Sequence, residues 1–137
     1  AMSVSARDVE SGYDHATDHH LVTLEKSVFR DYLTQCYERL AVVASGGETT
    51  TYNELAAELG LDDEKELKPL LDAITYIEYK AGRPPLTVLV VKHRTGKPAV
   101  EFFDTVDRLG LRENYRAHTD DELLAMMATN VYGAWQR

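Results

Sequence analysis

The chain has 137 residues, 44% hydrophobic and 28% charged, with a formal net charge of −8, which suits one domain with its own core and excludes compositional disorder. No apolar run approaches the ~18 residues of a membrane span, and no charged leader with an apolar stretch opens the chain, so neither a span nor an ordinary secretory signal is expected. The single cysteine, Cys36, excludes an internal disulfide framework and fits a reducing, cytoplasmic setting.

Residues 1–20 are polar, with no sustained apolar period, and read as a flexible N-terminal arm. His15, His19 and His20 raise a metal site, but clustered histidine without cysteine is compositional evidence only, and the solvated arm is the simpler reading. A helix follows over 24–44. Phe29, Leu33, Cys36, Leu40 and Val43 step by four and three onto one stripe, and Cys36 on that stripe reads as core rather than nucleophile. Ser45-Gly46-Gly47 stops the helix.

Thr51 with Glu54 is a capping box opening a short helix over 51–59, and Gly60 ends it. After a tight Gly60-Leu61 turn, Asp62 or Asp63 caps a third helical stretch over 63–81, with Pro69 near a first turn or restart. Leu70, Ala73, Ile74, Ile77 and Ala81 keep the helical period, and Gly82 with Pro84-Pro85 closes it. Leu86 to Val91 is apolar and rich in β-branched residues, so a strand is expected, with Arg94-Thr95-Gly96-Lys97 as a turn and residues 99–102 as the returning strand. This hairpin over 86–102 lies in the one stretch of opposite charge: residues 82–100 hold Arg83, Lys92, Arg94 and Lys97 and no acid. Helices over 103–109 and 120–134 follow, separated by a polar loop at 111–118. Thr119 with Glu122 forms another capping box, and Met126, Met127 and Trp135 read as core or partner contact.

Helix, short helix, tight turn, helix and hairpin is the order of a winged helix-turn-helix. The expected fold is therefore mainly α with a small β-hairpin, a winged helix-turn-helix with extra C-terminal helices, in one domain over 21–137. Residues 49–100 also resemble a known family. Thr50-Thr51-Tyr52-Asn53-Glu54-Leu55-Ala56, the glycine turn, the helix, and Pro85 leading into a Val-rich stretch with Gly96 are similar to the winged-helix domain of methylated-DNA alkyltransferases and alkyltransferase-like proteins. That family's pattern reads T-Y-G-E-L-A and later P-C-H-R-V-V. Here Asn53 stands for the glycine, and Leu86-Thr87-Val88 for the reactive cysteine, histidine and arginine, so the resemblance implies the shape without the repair chemistry.

The expected function is a non-catalytic module associating with double-stranded DNA. Arg83, Lys92, His93, Arg94 and Lys97 of the wing would hold phosphates, and Thr49, Thr50, Tyr52, Lys65 and Lys68 would lie near the groove. Asp62, Asp63, Glu64 and Glu66 oppose that reading by their charge. The alternative is an acidic protein-interaction or inhibitor domain of immunity type, docking through Tyr132 and Trp135. A high-salt cytoplasm would explain the acidity under either reading. No G-x-S-x-G, phosphate-cradling glycine loop or paired metal spacing occurs. Glu78, Arg83, His93 and Asp104 read as ordinary surface charge, so no enzyme activity, metal or cofactor is expected.

Overall fold

The computed structural model describes residues 4–136. Within them the protein is mainly helical, with a small two-stranded β element.

The expected arm is instead helix α1, Ala6–His19. Ser5 accepts the Asp8 N–H at 3.1 Å, and the Asp8 carboxylate accepts the Ser5 N–H at 3.3 Å. That reciprocal cap satisfies two donors the first turn leaves orphaned. The buried face of α1 is Val9, Gly12, His15 and Ala16, a narrow stripe of small and polar residues that apolar periodicity passes over. Gly12 explains why it packs so closely: a Cβ there would lie 2.9 Å from Ile77 Cδ1 and 3.3 Å from Ala73 Cβ.

Helix α2, Lys26–Ser45, carries the expected stripe, and Phe29, Leu33, Cys36, Leu40 and Val43 are all buried. Strand β1, Thr50–Thr51, runs into α3, Tyr52–Leu59, where the Thr51 hydroxyl accepts the Glu54 N–H. Gly60, at φ +75°, ends α3 in the left-handed conformation that glycine adopts without a Cβ penalty. A 3-10 turn over Glu64–Glu66, capped by Asp63, leads into α4, Leu67–Ala81. Pro69 falls in the first turn of α4, where its missing N–H costs no helical bond.

The hairpin over 86–102 is not formed. Leu86–Leu89 is a fully buried 3-10 turn, and β2, Val90–Val91, pairs in parallel with β1, Thr50 opposite Val90 and Thr51 opposite Val91. The proposed returning strand instead enters α5, Val100–Arg108, with Phe102, Thr105 and Val106 turned inward. A continuous apolar run is compatible with several backbone forms. Here the neighbours of Leu86–Leu89 are α2, α4 and α7, and only Val90–Val91 meets a strand, so helix packing takes the place of the hairpin. Between β2 and α5, the Lys92 N–H bonds the Lys97 carbonyl and the Gly96 N–H bonds the Lys92 carbonyl, both at 2.8 Å. This exposed turn is all that stands where the wing was expected.

The 111–118 loop contains a short helix, α6, Leu111–Tyr115. Helix α7, Asp120–Trp135, starts at Thr119, whose hydroxyl accepts the Glu122 N–H. It lies on α2 and the 86–89 turn. Helix α4 is the centre of the molecule, with α1, α2, α5 and the 86–89 turn packed around it.

Candidate functional site

Asp72 lies on α4 among Leu70, Ala73 and Ile74 and is 4% exposed. A buried carboxylate costs several kcal/mol unless its oxygens are paired, and here the neighbouring elements pair them. From α5, Thr105 Oγ1 and Arg108 Nη2 reach Asp72 Oδ1 at 2.9 and 2.7 Å. From the C-terminal cap of α1, His20 Nε2 lies 2.8 Å from Oδ2. His15, one turn earlier, places Nε2 3.5 Å from Oδ1 and 3.2 Å from Arg108 Nη2. Its ring also stacks on Tyr76, 4.1 Å apart and 8° from parallel. Burial holds the His15 imidazole below its usual pKa, against the pull of Asp72; His19 and Arg108 add to the lowering. Arg108 can only donate, so its hydrogen bond to His15 requires a neutral ring with the lone pair on Nε2.

Beside Asp72 opens a cavity of about 220 Å³. Leu71, Ala99 and Phe102 give it apolar wall; His20, Asp72, Thr75, Thr87 and Thr105 give it polar groups. Tyr52, Glu64, Lys68, Lys92 and Glu101 complete the lining. Thr75 and Thr87, both buried, hold their hydroxyl oxygens 2.6 Å apart. Lys68 and Glu101 pair at 2.8 Å, and that ammonium is the main cause of the lowered Glu101 pKa. The Tyr52 hydroxyl accepts the Ala99 N–H at 2.8 Å, fixing α3 to the start of α5. An enclosed apolar space with a few convergent polar groups is the usual form of a binding site.

The residues expected to bind DNA are dispersed. Arg83 is turned inward onto Glu78, which is 0% exposed; three of its contacts to that carboxylate fall between 2.9 and 3.2 Å, and Tyr37 donates to Glu78 Oε1 at 2.6 Å. The reading of Glu78 and Arg83 as surface charge is therefore corrected: Glu78 is buried and ties α4 to Tyr37 of α2, and half-buried Arg83, just past α4, closes over it. Lys97 is exposed but paired with Asp121 at 2.8 Å, and Lys68 is spent on Glu101. Thr50 is buried in the β pair, Thr49 is exposed, and Lys65 sits on the acidic 3-10 turn. Lys92, His93 and Arg94 remain exposed beside Thr51, Tyr52 and Asn53.

Of the expected partner contacts, Tyr132 donates to the Glu48 carbonyl at 2.8 Å, and half-buried Trp135 meets Tyr37 edge-on at 6.2 Å. Both serve to seat α7. Cys36 is buried, and burial pushes its thiol up to about 12, which suits the core reading. His19 is exposed. Among the described residues no three His, Cys, Asp or Glu groups are placed to hold a metal ion.

Sequence reasoning missed His20, Asp72, Thr105 and Arg108 as a unit. The available signal was a charged residue, Asp72, on the apolar face of α4, since an aspartate there must bring partners with it. No helix among the described residues is long and apolar enough to cross a membrane. Comparison with protein-family models, with curated proteins and with solved structures finds no match to this chain.

Proposed function

We propose that the protein is a docking domain for a cationic protein segment, with the cavity beside Asp72 as the seat for one side chain of that partner. The cavity carries the reading. It joins apolar wall to fixed polar groups, the combination that accepts a single anchoring side chain at protein interfaces. Charge supports the choice of partner. A surplus of eight negative charges draws in a cationic segment and repels polyanions. Glu64 carries that sign on the lining itself, and exposed Asp62 and Asp63 precede it in the chain. The carboxylate and threonine hydroxyls at the cavity are engaged with one another, which suits recognition rather than bond-making.

The test is an amide-resolved NMR titration of the full chain with a tetralysine peptide and, separately, a tetraglutamate peptide. Saturable shifts at Thr75, Thr87, Phe102 and Thr105 with tetralysine alone are expected. They should vanish in Ala99→Trp, which fills the cavity. Shifts spread evenly over the acidic surface and indifferent to Ala99→Trp would overturn the reading.

A second reading keeps nucleic acid. It takes α3 and α4 as the helix-turn-helix of a winged-helix-like body, with the 92–97 turn in place of the wing. Its support is that Lys92, His93 and Arg94 are exposed with no ion pair among the described residues. Two lasting cations, Lys92 and Arg94, predict a salt slope of about −2 on duplex DNA, at ~0.9 per phosphate. Binding unaltered in the Lys92→Ala/Arg94→Ala variant would remove this reading.

A further inference from the structure

We propose that the side chain received by the cavity is a lysine, held by its ammonium; this deepens the docking reading and rests on it. The argument is an account of protons. The Thr75 hydroxyl lies 2.9 Å from the Leu71 carbonyl and 2.6 Å from the Thr87 hydroxyl. A carbonyl only accepts, so the one proton of Thr75 goes to Leu71, and Thr87 must donate to Thr75. Thr105 Oγ1 faces the Asp72 carboxylate at 2.9 Å and the Glu101 carbonyl at 3.1 Å, two acceptors, so its proton is spent as well. His20 Nε2 faces Asp72 Oδ2 at 2.8 Å, and a carboxylate can only accept, so that nitrogen carries a proton already committed.

What these groups retain is lone pairs: on Thr75, Thr87 and Thr105, and on Asp72 Oδ2, since Oδ1 already takes Thr105 and Arg108. A ligand that brings acceptors meets oxygen against oxygen. A ligand that brings donors completes the set. The uncommitted donors belong to other lining residues: the Tyr52 hydroxyl, whose oxygen takes the Ala99 N–H but whose proton has no partner among the described residues, the Lys92 ammonium, and the N–H groups of Lys68 that Glu101 does not take. The lining therefore asks for a donor head on an apolar stem, with acceptors following behind. A lysine within a peptide is built this way. Its ammonium brings three donors, its four methylenes suit Leu71, Ala99 and Phe102, and its flanking backbone carbonyls suit Tyr52 and Lys92. Around the cavity the three carboxylates Glu64, Asp72 and Glu101 are matched by Lys68, Lys92 and the Arg108 that pairs with Asp72, so the incoming ammonium is held by the unfilled lone pairs of the lining rather than by a local surplus of negative charge.

The experiment titrates the full chain with four blocked amino acids: the Nα-acetyl methylamides of lysine, arginine, norleucine and glutamate. The lysine probe is expected to bind about tenfold more tightly than norleucine, the value of one hydrogen bond to a charged group. Thr87→Val, which keeps shape and removes the hydroxyl, should lower lysine affinity several-fold while leaving norleucine unchanged. Norleucine binding equal to lysine overturns ammonium recognition but leaves the side-chain seat standing. Preference for arginine or glutamate overturns the lysine assignment. If no probe binds and tetralysine shifts no cavity amide, the docking reading fails with it. The norleucine comparison uses the unmodified protein, so the outcome does not depend on how well Thr87→Val folds.

Discussion

Helix α4 buries two carboxylates, and the two are served differently. Glu78 is fully enclosed, and Tyr37 and Arg83 saturate it from α2 and from the chain just past α4. Asp72, less than two turns earlier, is nearly as buried, yet its partners come from α1 and α5 and a cavity opens alongside. One charge is sealed within the core; the other joins three helices beside an accessible space. The difference shows that burial of a charge is not in itself a mark of function. What separates the two is whether free valence remains around the group once its own bonds are made.

The largest effect is expected at the sealed site. Glu78→Ala leaves the Tyr37 hydroxyl without its acceptor inside the core and half-buried Arg83 without its partner, and should cost about 3–5 kcal/mol in denaturant unfolding, the range for breaking a buried ion pair. A cost under about 1 kcal/mol, the exposed-pair range, would show that water replaces the carboxylate and that the clasp is not closed.

Asp72→Ala should cost less, roughly 3 kcal/mol, because Arg108 is more exposed than Arg83 and can turn to solvent, and the Thr105 hydroxyl keeps the Glu101 carbonyl as acceptor. It should loosen α1 and α5 together, seen as faster amide exchange in both helices. Exchange confined to α5 would mean that the histidines do not hold α1 to Asp72.

Gly12→Val tests the same join without touching a charge. The added methyls meet Ile77 and Ala73 on α4, and overpacking of this kind costs about 1–3 kcal/mol. Unchanged stability would show that α1 rides on α4 with slack to spare.

The smallest effect is the pH dependence. The folded-state pKa of His15 is depressed, so the unfolded chain takes up the proton first. Its contribution is complete above its ordinary value of about 6.5 and is lost as pH falls from there toward the depressed folded value. Unfolding free energy should therefore decline between about pH 7 and pH 5, and His15→Phe, which keeps a ring against Tyr76, should flatten that decline. An equal slope in both proteins would place the sensitivity elsewhere.

Much of the helical framework is legible from residues alone. The stripe from Phe29 to Val43, the Thr51 and Thr119 caps, and the glycine stops at Gly60 and Gly82 all rest on local rules that tertiary context does not disturb. Helix α1 escaped because its contact face is built from Gly12, His15 and Ala16, which carry little hydrophobic signal. The hairpin reading failed because Leu86 to Val91 is apolar except at Thr87 and buried throughout, and such a run does not say whether strands or helices will surround it. Ion pairing is equally silent in sequence: nothing near Arg83, Lys97 or Arg108 in the chain says which of them will face water.

The amino-acid order alone determined where most helices start and stop, because caps, glycines and apolar spacing act over a few residues. Only the folded arrangement decided which charges are cancelled and which polar groups share a space, because Asp72 draws on residues 52 positions before it and 36 after it. Hydrogen-bond valence is settled by distances of about 3 Å, and distances between remote residues are a property of packing.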